Sequence, residues 1–499
     1  MKHYLGVDIG TFETKGVIVA EDGAIVAQAA RAHKMLVPRP GWAEHRPQED
    51  WWDDLVFVTR EMLAECRVDP KSIRALGCSA IGPCLLPVDA DGRPLCNAIL
   101  YGVDTRAAEE IETLDTAIGR ATILERCGNA LTSQSIGPKI LWLKKRRTEI
   151  YAAASKFLNS TSYLNFRLTG RYIIDHYSAA NFSPLYDVAT QDWTQDLSPD
   201  LARPDQLPAL LWSGEIAGEV TAAAAEETGL AAGTPVIAGT IDAAAEALSA
   251  GVLAPGDMMI MYGSTIFTIM LSAARIRDAR LWYAPWLFPG QHASMAGLAT
   301  SGTLTHWFRD HCARELPPQN AFEVLAAEAA EAPAGARGLV FLPYFSGERT
   351  PIHDPNARGV LFGLNLTHAR GDIYRALLEG IACGTNHIID AYREIGHPPS
   401  AVYAVGGGTR NAVWAQATSD ISGFDQALRR HTLGAAYGDA FLAAVGLGDV
   451  EAADIGGWNP IERNLRPRPE TAAVYRRQYR VFRRLYEQTK DLMAEVSDE

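Results

Sequence analysis

The stretch GVDIGTFETKGVIVA, residues 6–20, decides the fold class, because it reads as a strand, a short turn and a second strand. The run before Gly10 is apolar, the next residues favour a turn, and KGVIVA is rich in β-branched side chains. The hairpin signal EDG and the apolar run AIVAQAA then add a third strand. Apolar residues between Trp52 and Leu63 recur at helical spacing. The first part of the chain is therefore predicted to be a three-stranded meander followed by a helix.

A second stretch, GDMMIMYGSTIFTIMLS at residues 256–272, repeats this pattern about half a chain length later. Its turn contains Gly263, Ser264 and Thr265. We infer an ancient duplication into two similar halves. The predicted domains are residues 1–247 and 248–499. The segment 470–493 is predicted to be a long amphipathic helix that could pack back on the first domain.

Composition and charge limit the classes of function. The chain has 499 residues, of which 47% are hydrophobic and 21% charged, as in globular proteins of more than one domain. A net charge of −13 opposes binding to nucleic acid or to an anionic membrane. No apolar run is long enough to predict a membrane span, and the N-terminal residues lack the apolar core of a signal peptide. Seven irregularly spaced cysteines fit a reducing, cytoplasmic location.

The two glycine turns suit phosphate oxygens, because a turn of Gly and Ser or Thr between strands exposes N–H groups and hydroxyls. Hairpins also need glycine for conformational reasons, so a purely structural role stays open for each turn. Asp8 precedes the first turn and could hold Mg²⁺ through water, while Lys15 could direct its charge at a terminal phosphate. The sequence has no Walker A motif, so an ATP site would have to be of another kind.

Two further positions have both a structural and a functional interpretation. Asp242 stands between the apolar run TPVIAG and an Ala-rich helical segment, where an aspartate is typical of a helix N-cap. The apolar run AVYAV ends at Gly406, Gly407 and Gly408, and a helix is predicted from about Asn411. The glycines indicate either a nucleotide loop or close backbone packing.

Nine short segments, in this order, resemble the FGGY family of carbohydrate kinases, and most closely its xylulokinase-like members. The segments are GVDIGTFETKG, PGWAEHRPQEDWW, GPKILWL, IAGTIDAAAEALSAG, MYGSTIF, FLPYFSGERTP, ARGVLFGLN, LLEGIACG and AVGGGTRNAVWAQATSDISG. The resemblance runs nearly end to end. It implies an α/β fold of two ribonuclease-H-like (actin-like ATPase) domains flanking a catalytic cleft. It also implies ATP and Mg²⁺ as cofactors, a sugar or polyol substrate such as D-xylulose, and a possible homodimer.

The resemblance also implies roles for individual residues. Asp242 matches the general base, Asp8 the metal-associated aspartate, and Lys15 the basic residue near the γ-phosphate. The positions that match ATP-binding residues are Gly10, Thr11, Lys15, Gly263, Ser264, Thr265, Gly302, Gly407, Gly408 and Asn411. The positions on the substrate side are Ile81, Gly82, Tyr101, Asp104 and Arg106, together with Asp242.

The substrate side departs from the xylulokinase pattern. The sequence Ile81-Gly82-Pro83 stands where the family commonly has Met-His-Gly, and Ala243 follows the base where Asn or Gln is usual. The segment LYGVDTR has one residue more than the family's W-x-D-x-R, and Asp104 with Arg106 also fits a surface ion pair at a helix start. An ATP-dependent kinase of a small polyhydroxylated substrate is therefore better supported than a kinase of D-xylulose.

Alternative substrates and one alternative class of function stay open at this point. Ribulose, glycerol and erythritol are alternatives to D-xylulose. A catalytically silent sugar or nucleotide sensor is the alternative of another class, although it would not need the base Asp242. An actin-like filament protein fits less well, because SGERTP and ARGVLFG are landmarks of sugar kinases.

Overall fold

The computed structural model describes residues 1–496, and the chain divides into two compact units. Unit 1 consists of residues 1–253, 273–293 and 433–460. Unit 2 consists of residues 254–272 and 294–432 and of the chain from Ile461 onward. Each unit is made of three separate segments of the sequence, so no single boundary separates the two units. The division of the domains at 247/248 stays a prediction.

The elements are numbered along the chain. The strands are β1 (His3–Ile9), β2 (Glu13–Ala20), β3 (Ile25–Ala32), β4 (Glu44–His45), β5 (Ile73–Ala80), β6 (Leu86–Val88), β7 (Ala98–Ile99), β8 (Lys156–Leu158), β9 (Ile173–Asp175), β10 (Tyr186–Asp187), β11 (Asp192–Trp193), β12 (Ala209–Leu211), β13 (Ile216–Glu219), β14 (Pro235–Ile237), β15 (Thr240–Ile241), β16 (Asp257–Tyr262), β17 (Ile266–Ser272), β18 (Trp282–Pro285), β19 (His292–Leu298), β20 (Val340–Leu342), β21 (Val360–Phe362), β22 (Ala401–Val405), β23 (Gln426–Arg429) and β24 (Ile461–Leu465). The α-helices are α1 (Asp53–Cys66), α2 (Ala108–Ile118), α3 (Arg120–Cys127), α4 (Ile136–Arg146), α5 (Thr148–Ala153), α6 (Ser160–Thr169), α7 (His176–Ala179), α8 (Ala222–Thr228), α9 (Asp242–Ala250), α10 (Gly302–Cys312), α11 (Ala321–Glu331), α12 (Arg370–Glu394), α13 (Ala412–Ser422), α14 (Ala435–Gly446), α15 (Ile455–Trp458) and α16 (Ala472–Glu495).

The main sheet of unit 1 begins with the predicted meander. Its strand order is β3-β2-β1-β5-β14-β13, and β15 also pairs with β5. The pairs β1/β2 and β2/β3 are antiparallel, whereas β5 runs parallel to β1, β14 and β15. The edge pair β13/β14 is antiparallel again. Strand β1 and residues 16–20 of β2 are mostly apolar and buried, as expected for central strands covered on both faces.

The sheet of unit 2 has the same topology. Apart from the first two residues of β19, its strands lie in unit 2 in the order β19-β17-β16-β22-β23-β24. Strand β16 pairs antiparallel with β17 and parallel with β22, strand β22 is parallel to β23, and β23 is antiparallel to β24. Strands β17, β16, β22, β23 and β24 therefore have β2, β1, β5, β14 and β13 as their counterparts in unit 1. The duplication and the two-domain α/β fold expected from the sequence are confirmed.

Helix α12 and the C-terminal helix α16 are central to the packing of unit 2. Twenty of the 25 residues of α12 are buried, so the helix lies inside the unit. Helix α16 is the predicted amphipathic helix, and its Phe482, Leu485 and Tyr486 pack against Val340 and Leu342 of β20. The apolar face of this helix packs within unit 2, and the expectation that the helix packs back on the first domain stays a prediction.

Two findings concern the whole described chain. None of the seven cysteines, all of which lie among residues 1–496, forms a disulfide. Over the same residues, no helix is both long and apolar enough to span a membrane.

Candidate functional site

The candidate residues of unit 1 converge at one edge of its sheet. Strands β1 and β5 are parallel with Asp8 opposite Ser79, and β15 is parallel to β5 with Thr240 opposite the same Ser79. All three strands end at this edge, where the chain continues into Gly10, Ile81 and Asp242. The crevice outside the carboxyl ends of parallel strands is where open α/β sheets bind ligands.

The first predicted phosphate turn, residues 10–12, joins β1 to β2. Its Gly10 amide donates to the Glu13 carbonyl at 2.9 Å. The Gly10 carbonyl lies 3.0 Å from Nε2 of His33, and the Thr11 carbonyl lies 3.1 Å from Nε2 of His45. Neither histidine was identified from the sequence, because no local motif marks a side chain that reaches the turn from a neighbouring strand. Two imidazoles thus contact the carbonyl groups of the turn.

Thr11 brings the predicted phosphate turn and the predicted substrate side together. Its hydroxyl lies 3.3 Å from the hydroxyl of Tyr101. The two residues are 90 positions apart, so the sequence gave no indication of this contact.

Asp8 lies at the buried end of β1 within a group of carboxylates. Ser79 Oγ donates to Asp8 Oδ1 at 3.3 Å. Burial raises the pKa of the Asp8 carboxyl, and the negative charge of Asp242 raises it further, while the charge of Lys15 acts against both effects. The electrostatics of this edge therefore favour a cation beside Asp8.

Lys15 stands opposite Asp8 in the β1/β2 register, on the strand that follows the turn. Its ammonium group pairs with Glu13 at 3.2 Å, and both side chains are about half exposed. Exposed pairs of this kind contribute little to stability, so Lys15 is free to exchange Glu13 for another anion.

Asp242 is the first residue of α9, and the N-cap is Ile241, which makes no side-chain cap. The interpretation of Asp242 as the N-cap is therefore wrong by one position. Its Oδ1 accepts from the Ala243 amide at 2.7 Å, as an acidic residue in the first turn of a helix does. Burial raises the pKa of Asp242, the Ala243 hydrogen bond lowers it, and the charge of Glu246 raises it again. A carboxylate with a raised pKa is suited to accepting a proton.

Glu246 is a fourth charged group at this edge that the sequence analysis missed. It lies one helical turn after Asp242 on α9, and an (i, i+4) spacing places two side chains on one helix face. A Cβ on Gly434 would stand 3.4 Å from the Glu246 carboxylate, so that carboxylate packs on the backbone preceding α14. Burial and the charge of Asp8 raise the pKa of Glu246 to about 7. The (i, i+4) spacing from Asp242 was the signal that could have found it.

The substrate-side residues Ile81 and Gly82 lie beside Asp242. The Ile81 amide donates to the Ile9 carbonyl at 2.7 Å, and a Cβ on Gly82 would stand 2.7 Å from the side chain of Ile241. The Ile81 side chain is only 2% exposed and belongs to the hydrophobic core. The Ile81 carbonyl also accepts from Ser160 Oγ at 2.6 Å, so the role of Ile81 on the substrate side stays a prediction.

Asp104 and Arg106 form a buried ion pair, so their interpretation as a surface pair is wrong. Arg106 Nε lies 2.9 Å from both oxygens of Asp104, and the Ala43 amide donates to Asp104 Oδ2 at 2.7 Å. The Arg106 guanidinium also pairs with Glu44 at 2.9 Å and stacks 3.9 Å from the ring centroid of Trp42. Both Asp104 oxygens already have donors within the protein.

In unit 2, the second predicted turn packs directly on the start of α10. The amides of Ser301 and Thr303 donate to the Ser264 carbonyl at 3.1 and 3.2 Å, and the Gly302 amide donates to the Gly263 carbonyl at 3.0 Å. A Cβ on Gly302 would collide with that Gly263 carbonyl. The sequence-predicted positions Gly263, Ser264 and Gly302 therefore meet, and Ser264 stays exposed.

The glycine loop Gly406–Gly408 lies next to this turn, because β16 and β22 are parallel and their last paired residues are Met261 and Val405. A Cβ on Gly406 would stand 2.7 Å from the Tyr262 carbonyl, and one on Gly408 would collide with the ring of Trp414. Open space surrounds the same position of Gly407. Close packing thus explains two of the glycines, whereas Gly407 presents open backbone.

Asn411 is the N-cap of α13, and its side chain accepts from the Trp414 amide at 3.2 Å. The predicted helix start is correct. Thr265 closes the second turn, with its carbonyl 3.1 Å from the Gly263 amide. The positions that match ATP-binding residues in unit 2 are therefore gathered at the carboxyl ends of β16 and β22.

The chain is similar to known carbohydrate kinases. Residues 3–249 match the model of the N-terminal domain of the FGGY family of carbohydrate kinases, and residues 258–447 match the model of its C-terminal domain. The xylulose kinase of Escherichia coli is 31% identical over 98% of this chain and 100% of its own length. A glycerol kinase of Citrifermentans bemidjiense is 29% identical over 94% of this chain and 95% of its own length. The crystal structure of xylulose kinase from Rhodospirillum rubrum superimposes with a TM-score of 0.91 at 33% identity, covering 99% of this chain and 100% of that one.

Proposed function

Because the chain belongs to the FGGY family of carbohydrate kinases, we propose that it transfers the terminal phosphate of ATP to D-xylulose, giving ADP and D-xylulose 5-phosphate. The family makes it an ATP-dependent sugar kinase. The observation that carries the proposal is the convergence of the first turn, Asp8 and Asp242 at the carboxyl edge of the sheet of unit 1. A sensor would need the turn but not a carboxylate of raised pKa at the same edge of the sheet.

Asp242 is the proposed general base. The substrate hydroxyl gives its proton to the Asp242 carboxylate as its oxygen bonds to the γ-phosphorus, and the bond from that phosphorus to the β-phosphate oxygen breaks to release ADP. Phosphoryl transfer needs mainly positioning and charge neutralisation, and a positioned base adds typically 10²–10⁴-fold. The raised pKa of Asp242 supports this role, because its conjugate acid forms readily near neutral pH.

The first turn and Lys15 are proposed to hold the terminal phosphate. The turn offers backbone N–H groups and the Thr11 hydroxyl, and the Lys15 ammonium group can leave Glu13 for a phosphate oxygen. In unit 2, the Ser264 hydroxyl and the open backbone at Gly407 are proposed to contact the nucleotide.

Mg²⁺ is proposed to bind at Asp8. The chemistry of the donor set fits, because carboxylate oxygens are hard ligands and Mg²⁺ takes one or two of them with waters and phosphate oxygens. Among residues 1–496 no group of three or more His, Cys, Asp and Glu has a metal-binding arrangement, so such a site depends on these additional ligands. The cation would neutralise charge on the transferred phosphoryl group.

D-xylulose is the proposed substrate because a full-length relative and a structural neighbour, each at least 30% identical, are xylulose kinases. The glycerol kinase at 29% identity makes glycerol the main competitor. Ribulose and erythritol are the other polyols worth testing, since the residues near Asp242 depart from the xylulokinase pattern.

The test is ADP release by the purified chain with Mg·ATP and a panel of D-xylulose, D- and L-ribulose, glycerol and erythritol. We expect the highest kcat/KM with D-xylulose. Asp242→Asn should lower kcat at least about 100-fold while the Kd for ATP stays within about twofold. Asp91→Asn, which alters an exposed aspartate of the same unit, is the matched control and should be fully active.

Three outcomes would contradict parts of the proposal. Preference for another polyol would overturn the substrate while leaving the kinase. An Asp242→Asn variant with normal kcat would remove Asp242 as the base. ATP binding without turnover on any substrate would favour the sensor.

A further inference from the structure

The two histidines behind the first turn differ in their hydrogen-bond partners. His33 is nearly inaccessible, since 3% of its side chain is exposed. Its Nδ1 lies 2.8 Å from Asp54 Oδ2, and its Nε2 lies 3.0 Å from the Gly10 carbonyl oxygen. A carboxylate and a carbonyl can only accept, so both ring nitrogens of His33 must carry hydrogen for both bonds to exist.

The Asp54 carboxylate has enough other donors to remain an anion. Thr14 Oγ1 donates to its Oδ2 at 3.1 Å, and Arg31 pairs with its Oδ1 at 3.1 Å. It therefore presents a negative charge to His33 rather than a proton. A cationic imidazole between a carboxylate and a carbonyl makes two charge-assisted hydrogen bonds.

His45 has the opposite arrangement. Its Nδ1 accepts from the Trp51 indole at 3.1 Å, and its Nε2 faces the Thr11 carbonyl. One nitrogen accepts and the other donates, which describes a neutral imidazole. Burial, and then the charge of His33 at a ring-centroid distance of 5.0 Å, lower the pKa of His45 to about 4.

We propose that His33 is a positioning residue that is cationic at neutral pH and holds the Gly10 carbonyl of the first turn, so that the turn's N–H groups point at the phosphates of ATP. The Gly10 carbonyl belongs to the peptide unit whose N–H is that of Thr11. A hydrogen bond from a cation polarises that unit and makes the Thr11 N–H a stronger donor. The binding part of this inference rests on the proposed function of the turn.

The surroundings of His33 favour the charged form. Burial lowers the pKa of His33, but the hydrogen bonds to Asp54 and Gly10 and the charges of Asp54 and Asp50 outweigh it, so the pKa lies above its ordinary value. The charged and titratable groups that face or flank His33 from the packed elements are Asp54 on α1, Asp50 on the short π-helical turn Pro47–Trp52, His45 on β4, Arg31 on β3, and Arg46, which pairs with Asp50.

The first experiment measures the protonation of His33 without any need for kinase activity. The full chain is labelled with ¹⁵N-histidine, and imidazole ¹H–¹⁵N spectra are recorded between pH 5.5 and 9, with His33→Gln identifying the signal among the 12 histidines. We expect both nitrogens of His33 to carry hydrogen at pH 7 and to titrate above pH 7. Asp54→Asn should move that midpoint to lower pH. A neutral His33 at pH 7 would overturn the inference.

The second experiment measures the Kd for Mg·ATP by calorimetry over the same pH range. We expect His33→Gln, which keeps one hydrogen-bond donor, to raise the Kd by about tenfold. A change of this size corresponds to the loss of one charge-assisted hydrogen bond. The wild-type Kd should rise as the pH passes the midpoint of His33, and the variant should show no such step. His397→Gln, at an exposed histidine of unit 2, is the control.

The outcomes separate this inference from the proposed function. A cationic His33 whose replacement leaves the Kd and its pH dependence unchanged overturns the positioning role. Absence of turnover with every sugar, with normal ATP binding and the expected pH step, overturns the proposed function and supports the inference. Thermal unfolding of each variant checks that a change in Kd is measured on folded protein.

Discussion

Ser79 on β5 and Asp439 on α14 are in direct contact: Asp439 Oδ2 accepts from the Ser79 amide at 3.0 Å and lies 2.6 Å from the Ser79 hydroxyl oxygen. Asp439 is fully buried, and its Oδ1 has no hydrogen-bond partner among residues 1–496. Burial raises the pKa of Asp439 well above its ordinary range. Ser79 Oγ also lies 3.3 Å from Asp8 Oδ1, so Ser79 links the two carboxyl groups. We therefore predict that Asp439 is protonated and donates to Ser79 Oγ, which leaves the single hydrogen of that hydroxyl for Asp8.

Asp439→Asn is predicted to gain stability relative to the wild type as the pH rises. A carboxyl whose pKa is raised by folding stabilises the folded state below its unfolded pKa, and that contribution is lost as the pH rises through the folded pKa. Asparagine does not titrate, so only the wild type loses stability in this way. The free energy of unfolding of Asp439→Asn, relative to that of the wild type, should therefore rise by up to about 1.4 kcal/mol per pH unit above about pH 4. Urea unfolding at pH 5, 6.5 and 8 measures it.

Asp439→Ala is the comparison for the same site. Compared with Asp439→Asn, it leaves the buried Ser79 amide without its acceptor and should be less stable by about 1–3 kcal/mol at every pH, because neither side chain titrates. If the wild type and Asp439→Asn show the same pH dependence, Asp439 is ionised in the folded state and the hydrogen-bond order described above is wrong.

Much of the strand order of both units could be predicted, because each half of the sequence contains the same pattern of apolar runs and turns. The apolar runs around Gly10 and Gly263 fix two hairpins, and the family resemblance supplies the parallel strands that follow. The carboxyl ends of these strands then meet by geometry alone, so the convergence of Asp8, Gly10 and Asp242 follows from the topology. These features depend on the periodicity of apolar residues and on the order of the motifs, both of which can be read from one sequence.

Other parts of the site depend on contacts between distant residues. His33, just after β3, and His45, on β4, reach the first turn through a strand arrangement that the sequence does not specify. Asp439 meets Ser79 across 360 positions, and although the apolar sequence of α14 indicates a buried helix, it does not indicate the partner of Asp439. The discontinuous units arise for the same reason, because α14 packs against β1 although it lies near the end of the chain.

Replacement of Arg106 is predicted to affect stability more than substrate binding. Arg106→Ala leaves Asp104, whose side chain is fully buried, without its counter-charge, and breaking a buried pair typically costs about 3–5 kcal/mol. Arg106→Lys keeps the charge but loses the two parallel hydrogen bonds, so it should lie between the wild type and Arg106→Ala. Urea unfolding and the KM for the sugar are measured on the same samples. A large rise in KM with unchanged stability would restore Asp104 and Arg106 as substrate-binding residues.

Gly407→Ala is predicted to change only nucleotide binding, whereas Gly408→Ala is predicted to disturb the packing of the loop. A Cβ at Gly407 meets open space, so the variant should unfold like the wild type, and any effect should appear in the Kd for ATP. A Cβ at Gly408 collides with Trp414 and stands 2.9 Å from Tyr262 Cβ, so this variant should lose about 1–3 kcal/mol. Calorimetry with ATP and urea unfolding compare the pair. Equal destabilisation by both would contradict the open position of Gly407.

Lys15→Met is predicted to lower kcat with little change in stability. The substitution keeps most of the side-chain length and removes the charge, and the pair with Glu13 is about half exposed, so the free energy of unfolding should change by less than about 0.5 kcal/mol. Loss of a cation at the transferred phosphate should reduce kcat by about 10²-fold or more. Lys34→Met, at an exposed lysine of the same unit, is the control, and Glu13→Gln tests the pair from its other side. Because Glu13→Gln releases Lys15 without removing it, that variant should keep the kcat of the wild type. An unchanged kcat in Lys15→Met would instead show that Lys15 does not act on the transferred phosphate.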